Sequence, residues 1–343
     1  MIFYELFDNF WAVLGLKLGV LFIFFLTAPL LIGYTEHKVL AHMQARLGPM
    51  EAGKFHGWAQ LVADGVKFIQ KEDLIPRAAD KWVFSLAPAV VIVPVVVVFL
   101  VIPFGPALVN SDVAASCGAG GCGWWGENLD VGIFFVLAVT SVSVIGMLMA
   151  GWASANKFSL IGAIRGAAQL IAYELPLVLA AAAVAMQAGT LSLVGIAEGQ
   201  QSMWYVVPQF AGFAIFITAS LAELSRPPFD MPIADSEIIF GHMTEYSGIR
   251  FGLFLLSEYA GIVSLSAVAT VLYLGGWHGF IIPGIPGPLW TLAKIGALGF
   301  FVIWLRATYP RLREDQLQKL SWKYLIPIAL LNILLTGIFK VVF

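Results

Sequence analysis

Charged side chains are scarce in this sequence: only 12% of its 343 residues are Asp, Glu, Lys or Arg. The 19 basic and 21 acidic residues nearly cancel, and no stretch combines basic with aromatic residues as a nucleic-acid-binding surface does. Hydrophobic residues make up 60% of the chain, and the mean hydropathy is +0.88. This composition excludes an ordinary water-soluble domain, and it gives no reason to expect a nucleic-acid partner.

Metal-binding residue types are also few, with two cysteines and five histidines. Two thiolates cannot hold an iron–sulfur cluster. All five histidines fall outside the long apolar segments, which argues against a haem between facing helices. We therefore predict that this chain by itself holds no metal and no redox cofactor. Cys117 and Cys122 stand in a glycine-rich segment that we assign to the oxidising side, where a disulfide and two free thiols are both possible.

Long apolar runs recur along the whole chain, each of about the 20 residues that a helix needs to cross a hydrocarbon core of roughly 30 Å. They are apolar on every face instead of alternating, so helices must satisfy their backbones. We predict an all-α, polytopic membrane protein that forms a single domain over residues 1–343. The predicted spans are 12–34, 82–102, 131–152, 167–188, 206–224, 251–274, 289–305 and 323–342.

Lys and Arg set the predicted orientation. Segments 35–81, 153–166, 225–250 and 306–323 hold sixteen of the 19 basic residues, whereas 103–130, 189–205 and 275–288 hold none. The positive-inside rule puts the basic loops in the cytoplasm or its equivalent and both termini on the outer side. A bacterial inner (cytoplasmic) membrane and an organellar inner membrane both fit this pattern.

One basic loop contains a predicted amphipathic helix within 55–71. Its charged residues lie away from a stripe of apolar residues at helical spacing, which is Trp58, Leu61, Val62, Val66 and Ile69. Such a helix lies at the membrane interface or against a partner. A helix that merely covers the end of the bundle is the alternative.

Three glutamates lie within the apolar segments. An acid at mid-bilayer costs roughly 2.5–3.5 kcal/mol, so it is rarely kept there without a use. Glu174 and Glu258 are each the eighth residue of a predicted span, roughly 10 Å from its end, and Glu223 lies near the end of another. Pro176 leaves the carbonyl of Ala172 without its helical donor, so that water could reach it. We predict an ion or proton path, the alternative being acids paired for packing alone.

The basic loops contain further acids and arginines. Pro227 and Pro228 should end the fifth span, and a new helix should begin near Asp235 or Ser236, where an acid suits the helix N-terminus. Some of these acids could therefore be simple helix caps. The last basic loop contains Arg306, Arg311 and Arg313. For these arginines, charge that only sets the topology is the alternative to a functional role.

Several short motifs, in this order along the chain, resemble those of one family: the H subunit of NADH:quinone oxidoreductase (respiratory complex I), called NADH dehydrogenase subunit 1 in mitochondria. The resemblance covers nearly the whole chain, from about Tyr34 to Lys323. The motifs are Glu36–Pro49, Gln60–Lys67, Gly151–Ser154, Ala168–Glu174, Ala222–Asp230, Glu245–Gly248, Arg306–Arg313 and Asp315–Leu317.

The resemblance implies an eight-helix membrane subunit of a proton-translocating respiratory-chain enzyme, one that is not catalytic alone. The substrate would be a quinone such as ubiquinone. Iron–sulfur clusters and FMN would be bound by partner subunits of the peripheral arm, and antiporter-like subunits and membrane lipid would be its other neighbours.

The resemblance also assigns two sets of residues. The proton path would consist of Glu174, Glu223, Glu237, Glu245 and Glu258, with Asp235. The quinone chamber would be formed by Glu36, His37, Arg46, Asp64 and Lys67, with Arg226, Arg306, Arg311 and Arg313.

Three positions depart from the family pattern. His37 replaces the usual Arg, and Ile233 and Asp235 replace two usual Glu residues. A histidine titrates near pH 6.5, whereas an arginine stays charged. These departures leave open the equivalent subunit of a membrane-bound hydrogenase or of a dehydrogenase with another donor. A stand-alone secondary transporter or ion channel is the interpretation from a different class.

Overall fold

The computed structural model describes residues 10–106, 127–279 and 286–342, and all regular structure in these ranges is helical. The predicted all-α membrane fold is confirmed. Cys117 and Cys122 lie outside the described residues. The helices are α1 Phe10–Met43, α2 Gln60–Gln70, α3 Lys81–Val101, α4 Gly132–Ala153, α5 Lys157–Ala188, α6 Leu193–Glu198, α7 Phe210–Glu223, α8 Asp235–Ile238, α9 Gly248–Tyr273, α10 Gly287–Thr308, α11 Glu314–Lys319 and α12 Ile326–Val342; a one-turn 3-10 helix, Gly241–Met243, follows α8, and a π-helical turn, Leu320–Leu325, joins α11 to α12.

Within the described residues, seven helices are long and apolar enough to cross a membrane. They are α1, α3, α4, α5, α9, α10 and the continuous run from α11 through α12. The eighth apolar helix, α7, has only 14 residues. It covers the apolar segment 206–224 from Phe210 onwards, because the residues before it form turns.

Two helices begin or end well beyond their apolar segments. Helix α1 continues to Met43, so Glu36, His37 and His42 lie on a helix and not in a loop. The expectation that every histidine lies outside the spanning helices is therefore wrong for α1. Helix α5 begins at Lys157, which places Glu174 about 25 Å from its start, whereas Glu258 is about 15 Å from the start of α9. Polar first turns lengthen both helices, so helix starts do not give the two acids equal depth.

Helix α9 lies at the centre of the bundle. Every residue from Ala260 to Tyr273 is buried, and α9 packs against α1, α3, α7 and α10. Glycine, alanine and serine recur along this stretch, which lets neighbouring helices approach closely. The acid at Glu258 is therefore placed among protein and not among lipid.

The predicted amphipathic helix is present as α2. None of its residues is fully buried, and one face packs on α9, where the rings of Phe68 and Phe251 lie 5.8 Å apart. Val62, Val66 and Ile69 are exposed on the rest of its surface.

Candidate functional site

A buried ion cluster joins α1 to the loop that follows α7. The side chain of Glu36 is 3% exposed. Its carboxylate accepts two hydrogen bonds from Nη1 of Arg226, at 2.8 Å and 3.0 Å, and a further one from Nη1 of Arg306 at the end of α10. Burying a carboxylate is costly unless it is paired and hydrogen-bonded, and Glu36 meets both conditions.

Arg226 extends this cluster to the central helix. Its side chain is 2% exposed, and its Nε lies 2.7 Å from a carboxylate oxygen of Glu258. Its guanidinium also lies over the ring of Tyr259, 4.8 Å from the centroid, a favourable cation–π arrangement. The cluster of Glu36, Arg226, Glu258 and Arg306, called the ion cluster below, therefore contains two acids and two arginines and is formally neutral.

A cavity of about 120 Å³ lies beside the ion cluster. Glu258 and Glu223 both line it, so the acid at the end of α7 and the acid of α9 face one shared space. Its other polar lining residues are Thr140, Ser143, Ser225, His242, Ser257 and Ser264. A space of this size holds on the order of four water molecules at liquid density, although most of its lining is apolar. The sequence could not reveal this cavity, because five α-helices, the loop between α7 and α8 and the one-turn 3-10 helix contribute to it.

Glu174 on α5 belongs to the same group of acids. It lies close enough to Glu223 to act on it electrostatically, and Ser141 of α4 lies beside it. The structure thus brings together three predicted proton-path acids, since Glu174 is coupled to Glu223, and Glu223 shares the cavity with Glu258.

The remaining predicted proton-path acids lie elsewhere. Glu237 is more than half exposed and pairs with Arg165 at 2.7 Å. Glu245 accepts a hydrogen bond from the side-chain amide of Asn156. Asp235 begins α8, as predicted from the sequence, but its side chain is outside the described part of the structure. Ile233 lines the cavity, so one of the positions that departs from the family pattern forms an apolar part of the cavity wall.

The predicted quinone-chamber residues divide into several separate groups. Glu36, Arg226 and Arg306 meet in the ion cluster. On α2, Asp64 and Lys67 lie 3.6 Å apart. Three arginines contact other partners: Arg46 lies 2.8 Å from Gln44, Arg311 lies 2.9 Å from Asp230 and Arg313 lies 3.1 Å from Asp315. His37 is half-buried on α1, next to Glu36.

Sequence reasoning missed Tyr259 and His242. Tyr259 directly follows Glu258, and a search for aromatic neighbours of buried acids would have found it. Burial lowers the pKa of His242 to about 4, so its imidazole is neutral at pH 7. Nothing in the sequence separates this histidine from the four others.

The backbone carbonyl that Pro176 frees in α5 is bonded by another part of the protein. The carbonyl of Ala172, which Pro176 deprives of its helical donor, accepts a hydrogen bond of 2.5 Å from Ser321 in the π-helical turn. The hydroxyl of the adjacent Tyr173 donates to the carbonyl of Leu317 at 2.9 Å. The freed carbonyl therefore joins α5 to the last helical run, contrary to the expectation that water would occupy it.

The helices are long enough to span a membrane, and they bury a neutral ion cluster beside an acid-lined cavity. The protein is therefore a polytopic membrane protein with charged groups inside its helix bundle. The family model described as NADH dehydrogenase matches residues 16–337. Over 338 residues, the chain is 43% identical to the H subunit of the NADH-quinone oxidoreductase of Bacillus mycoides (strain KBAB4) and 42% identical to that of Bacillus thuringiensis subsp. konkukian (strain 97-27). Each match covers 98% of this chain and 96% of the relative.

The chain belongs to the NADH dehydrogenase family of H subunits, and the resemblance described above is confirmed. Membership makes it a membrane subunit of an NADH-quinone oxidoreductase, a multisubunit enzyme, and not a catalyst by itself.

Proposed function

We propose that this subunit forms part of a quinone chamber and carries the first steps of a proton path that leads away from it. The observation that supports this function best is that Arg226 contacts both Glu36 and Glu258. Glu36 belongs to the set that the resemblance assigns to quinone, and Glu258 to the set that it assigns to protons. One buried arginine thus connects the two sets.

The charge balance of the ion cluster suggests how the connection acts. The cluster is neutral, and in a poorly solvated interior a unit of charge is stabilised only by a partner or by a proton. Reduction of a quinone on the Glu36 side adds negative charge that attracts Arg226 and Arg306. As Arg226 moves toward that charge, Glu258 loses its counter-ion and takes up a proton from the cavity. Glu223 and Glu174 then pass protons further into the bundle.

The rest of the assembly follows from the same proposal. Electrons reach the quinone from NADH through FMN and iron–sulfur clusters in partner subunits of a peripheral arm. Antiporter-like membrane subunits respond to the change in the protonation of Glu174. The basic loops face the cytoplasm, both termini face the outer side of the cytoplasmic membrane, and residues 1–343 form one membrane domain. The exposed apolar face of α2 then lies at the interface or against a partner.

The proton path is tested with Glu258→Gln and Glu174→Gln in the complete complex, reconstituted into vesicles. We expect proton pumping to be lost in both, with quinone reduction also reduced, because an amide cannot bind the proton. Glu198→Gln is the matched control, since Glu198 ends the short helix α6 and is exposed. Normal pumping by both test variants would contradict the proposed path.

A second candidate function is the equivalent subunit of a hydrogenase or of a dehydrogenase with another donor. The apolar Ile233 in the cavity wall is the observation in its favour, whereas the full-length similarity to NADH-quinone oxidoreductase subunits favours NADH as the donor. Purification of the complex in mild detergent separates the two, because the first function requires a flavin-containing NADH module and the second a different electron-input module. Ion transport by the isolated chain would instead support a stand-alone transporter.

A further inference from the structure

His242 occupies one wall of the cavity that Glu223 and Glu258 share. It stands in the 3-10 helix Gly241–Met243, its side chain is 6% exposed, and it lines the cavity. The neighbouring lining residues Ile233 and Met243 are apolar. His242 therefore provides the polar atoms on a wall that is otherwise hydrophobic.

The backbone around His242 is held by close packing. A Cβ atom on Gly162 of α5 would lie 2.6 Å from the Cα of Gly241 and 2.9 Å from the backbone nitrogen of His242, and a Cβ on Gly241 would overlap the carbonyl oxygen of Pro232. On the other side, the imidazole meets the ring of Phe254 edge-on at 5.6 Å. The side chain is thus fixed at the cavity and is not free to turn to solvent.

Two buried polar atoms at this cavity have no protein partner. They are Nδ1 of His242 and Oγ of Ser225. A buried polar atom left without a hydrogen bond costs about 1–3 kcal/mol, and the cavity has room for water beside both residues. Each of these two residues therefore brings an unmet hydrogen bond to the cavity wall.

Three of the five cavity hydroxyls are less able to orient such a water molecule. Thr140, Ser257 and Ser264 donate to the backbone carbonyls of Leu137, Val91 and Gly261. Their single protons are committed, so they can only accept from water. A neutral imidazole nitrogen can either donate or accept, depending on its tautomer.

We propose that His242 positions the water molecule through which Glu258 and Glu223 exchange a proton. A protonated Glu258 gives its proton to this water as the water gives another to the Glu223 carboxylate, so one O–H bond breaks for each that forms and no charge remains on the water. His242 ends the transfer as it began, neutral and hydrogen-bonded through Nδ1. This inference rests on the proton path of the proposed function and assigns to it a positioning residue.

The test compares two substitutions of His242 in the complete complex in vesicles. His242→Leu removes the polar atoms at similar volume, whereas His242→Asn keeps a polar atom close to the position of Nδ1. We expect His242→Leu to lower pumping-coupled turnover about tenfold, the effect of one lost hydrogen bond, and to change the solvent deuterium isotope effect. We expect His242→Asn to restore at least half of the normal rate. Leu177→Met is the matched control, an apolar exchange at a buried residue of α5 that does not line the cavity.

Equal loss in the Leu and Asn variants would overturn the inference, because a packing defect does not depend on a polar atom at Nδ1. Full pumping by His242→Leu would overturn it as well. If His242→Leu fails to assemble, His242→Gln provides the comparison with His242→Asn, since its amide lies nearer the position of Nε2 and should not restore the rate. Glu258→Gln in the same assay separates the two proposals: if it pumps normally, the proton path itself fails, and if it does not pump while His242→Leu does, only the role of His242 fails.

Discussion

Replacement of Arg226 by methionine is the sharpest test of the ion cluster. Arg226 is 2% exposed and is shared by Glu36 and Glu258, so its loss changes the formal charge of the cluster from zero to minus one. Breaking a buried ion pair by removing one partner typically costs about 3–5 kcal/mol. Arg306 still neutralises Glu36, so most of that cost comes from Glu258, which loses its ion-pair partner.

A second substitution isolates this electrostatic cost. In Arg226→Met/Glu258→Gln the cluster is neutral again, because Glu36 and Arg306 remain as a pair. We expect the double variant to recover about 2–3 kcal/mol of the loss caused by Arg226→Met alone, the upper range for groups in direct contact. The stability of Arg226→Lys should lie between those of the double variant and Arg226→Met, because a lysine cannot hold two carboxylates with a rigid fork of donors.

The assay is the fraction of complex that stays assembled on a native gel after heating across a temperature series. The predicted order of stability is wild type, then the double variant, then Arg226→Met. Glu237→Gln serves as a control for removal of an exposed, paired acid, which should change stability by less than about 1 kcal/mol. If Arg226→Met is as stable as wild type, or if the double variant is no more stable than Arg226→Met, then the cluster is not held together by charge balance.

Three further predictions concern other buried groups. Ser321→Ala should destabilise the complex by about 1 kcal/mol in the same heating assay, because the carbonyl of Ala172 loses its donor; an unchanged profile would mean that water replaces the hydroxyl. Lys294→Met should cost about 2–3 kcal/mol, because the Lys294 ammonium donates to three backbone carbonyls at 2.6–2.8 Å, and a loss no larger than that of Ser321→Ala would contradict this. Finally, burial lowers the pKa of His242 from 6.5 to about 4, so the unfolded chain binds the proton more readily. Stability should fall as the pH drops from about 6.5 to about 4 and should level off below that. His242→Asn should lessen this fall, as measured by assembly at each pH.

The helical fold could be predicted almost completely from the sequence, because long runs that are apolar on every face leave the backbone no other structure in a membrane. Helix ends were harder to predict. Helix α1 reaches Met43 although its last turns contain Glu36, His37 and Lys38. Hydropathy shows where side chains become polar, whereas a helix continues for as long as its backbone hydrogen bonds form.

The candidate site could be predicted only in part, for a related reason. Depth and charge pointed to Glu174, Glu223 and Glu258. The structure places Glu174 close to Glu223, and Glu223 and Glu258 at one cavity. Nothing local indicated that Arg226 would reach Glu36, 190 positions away in the chain, or that His242 would face the same cavity. Both depend on how separate helices pack, and that information is spread over the whole sequence.

The shortness of α7 has a consequence for the bilayer. A helix of 14 residues is about 21 Å long, roughly 9 Å less than the hydrocarbon thickness. Such hydrophobic mismatch brings non-helical backbone to membrane depth, which is tolerated only where protein covers it. Arg226 after α7 is 2% exposed, so protein covers that end, whereas Val207 and Phe210 at the other end are 66% and 70% exposed. The bundle therefore encloses non-helical backbone after Glu223, and it is this backbone that carries Arg226 to Glu36 and Glu258.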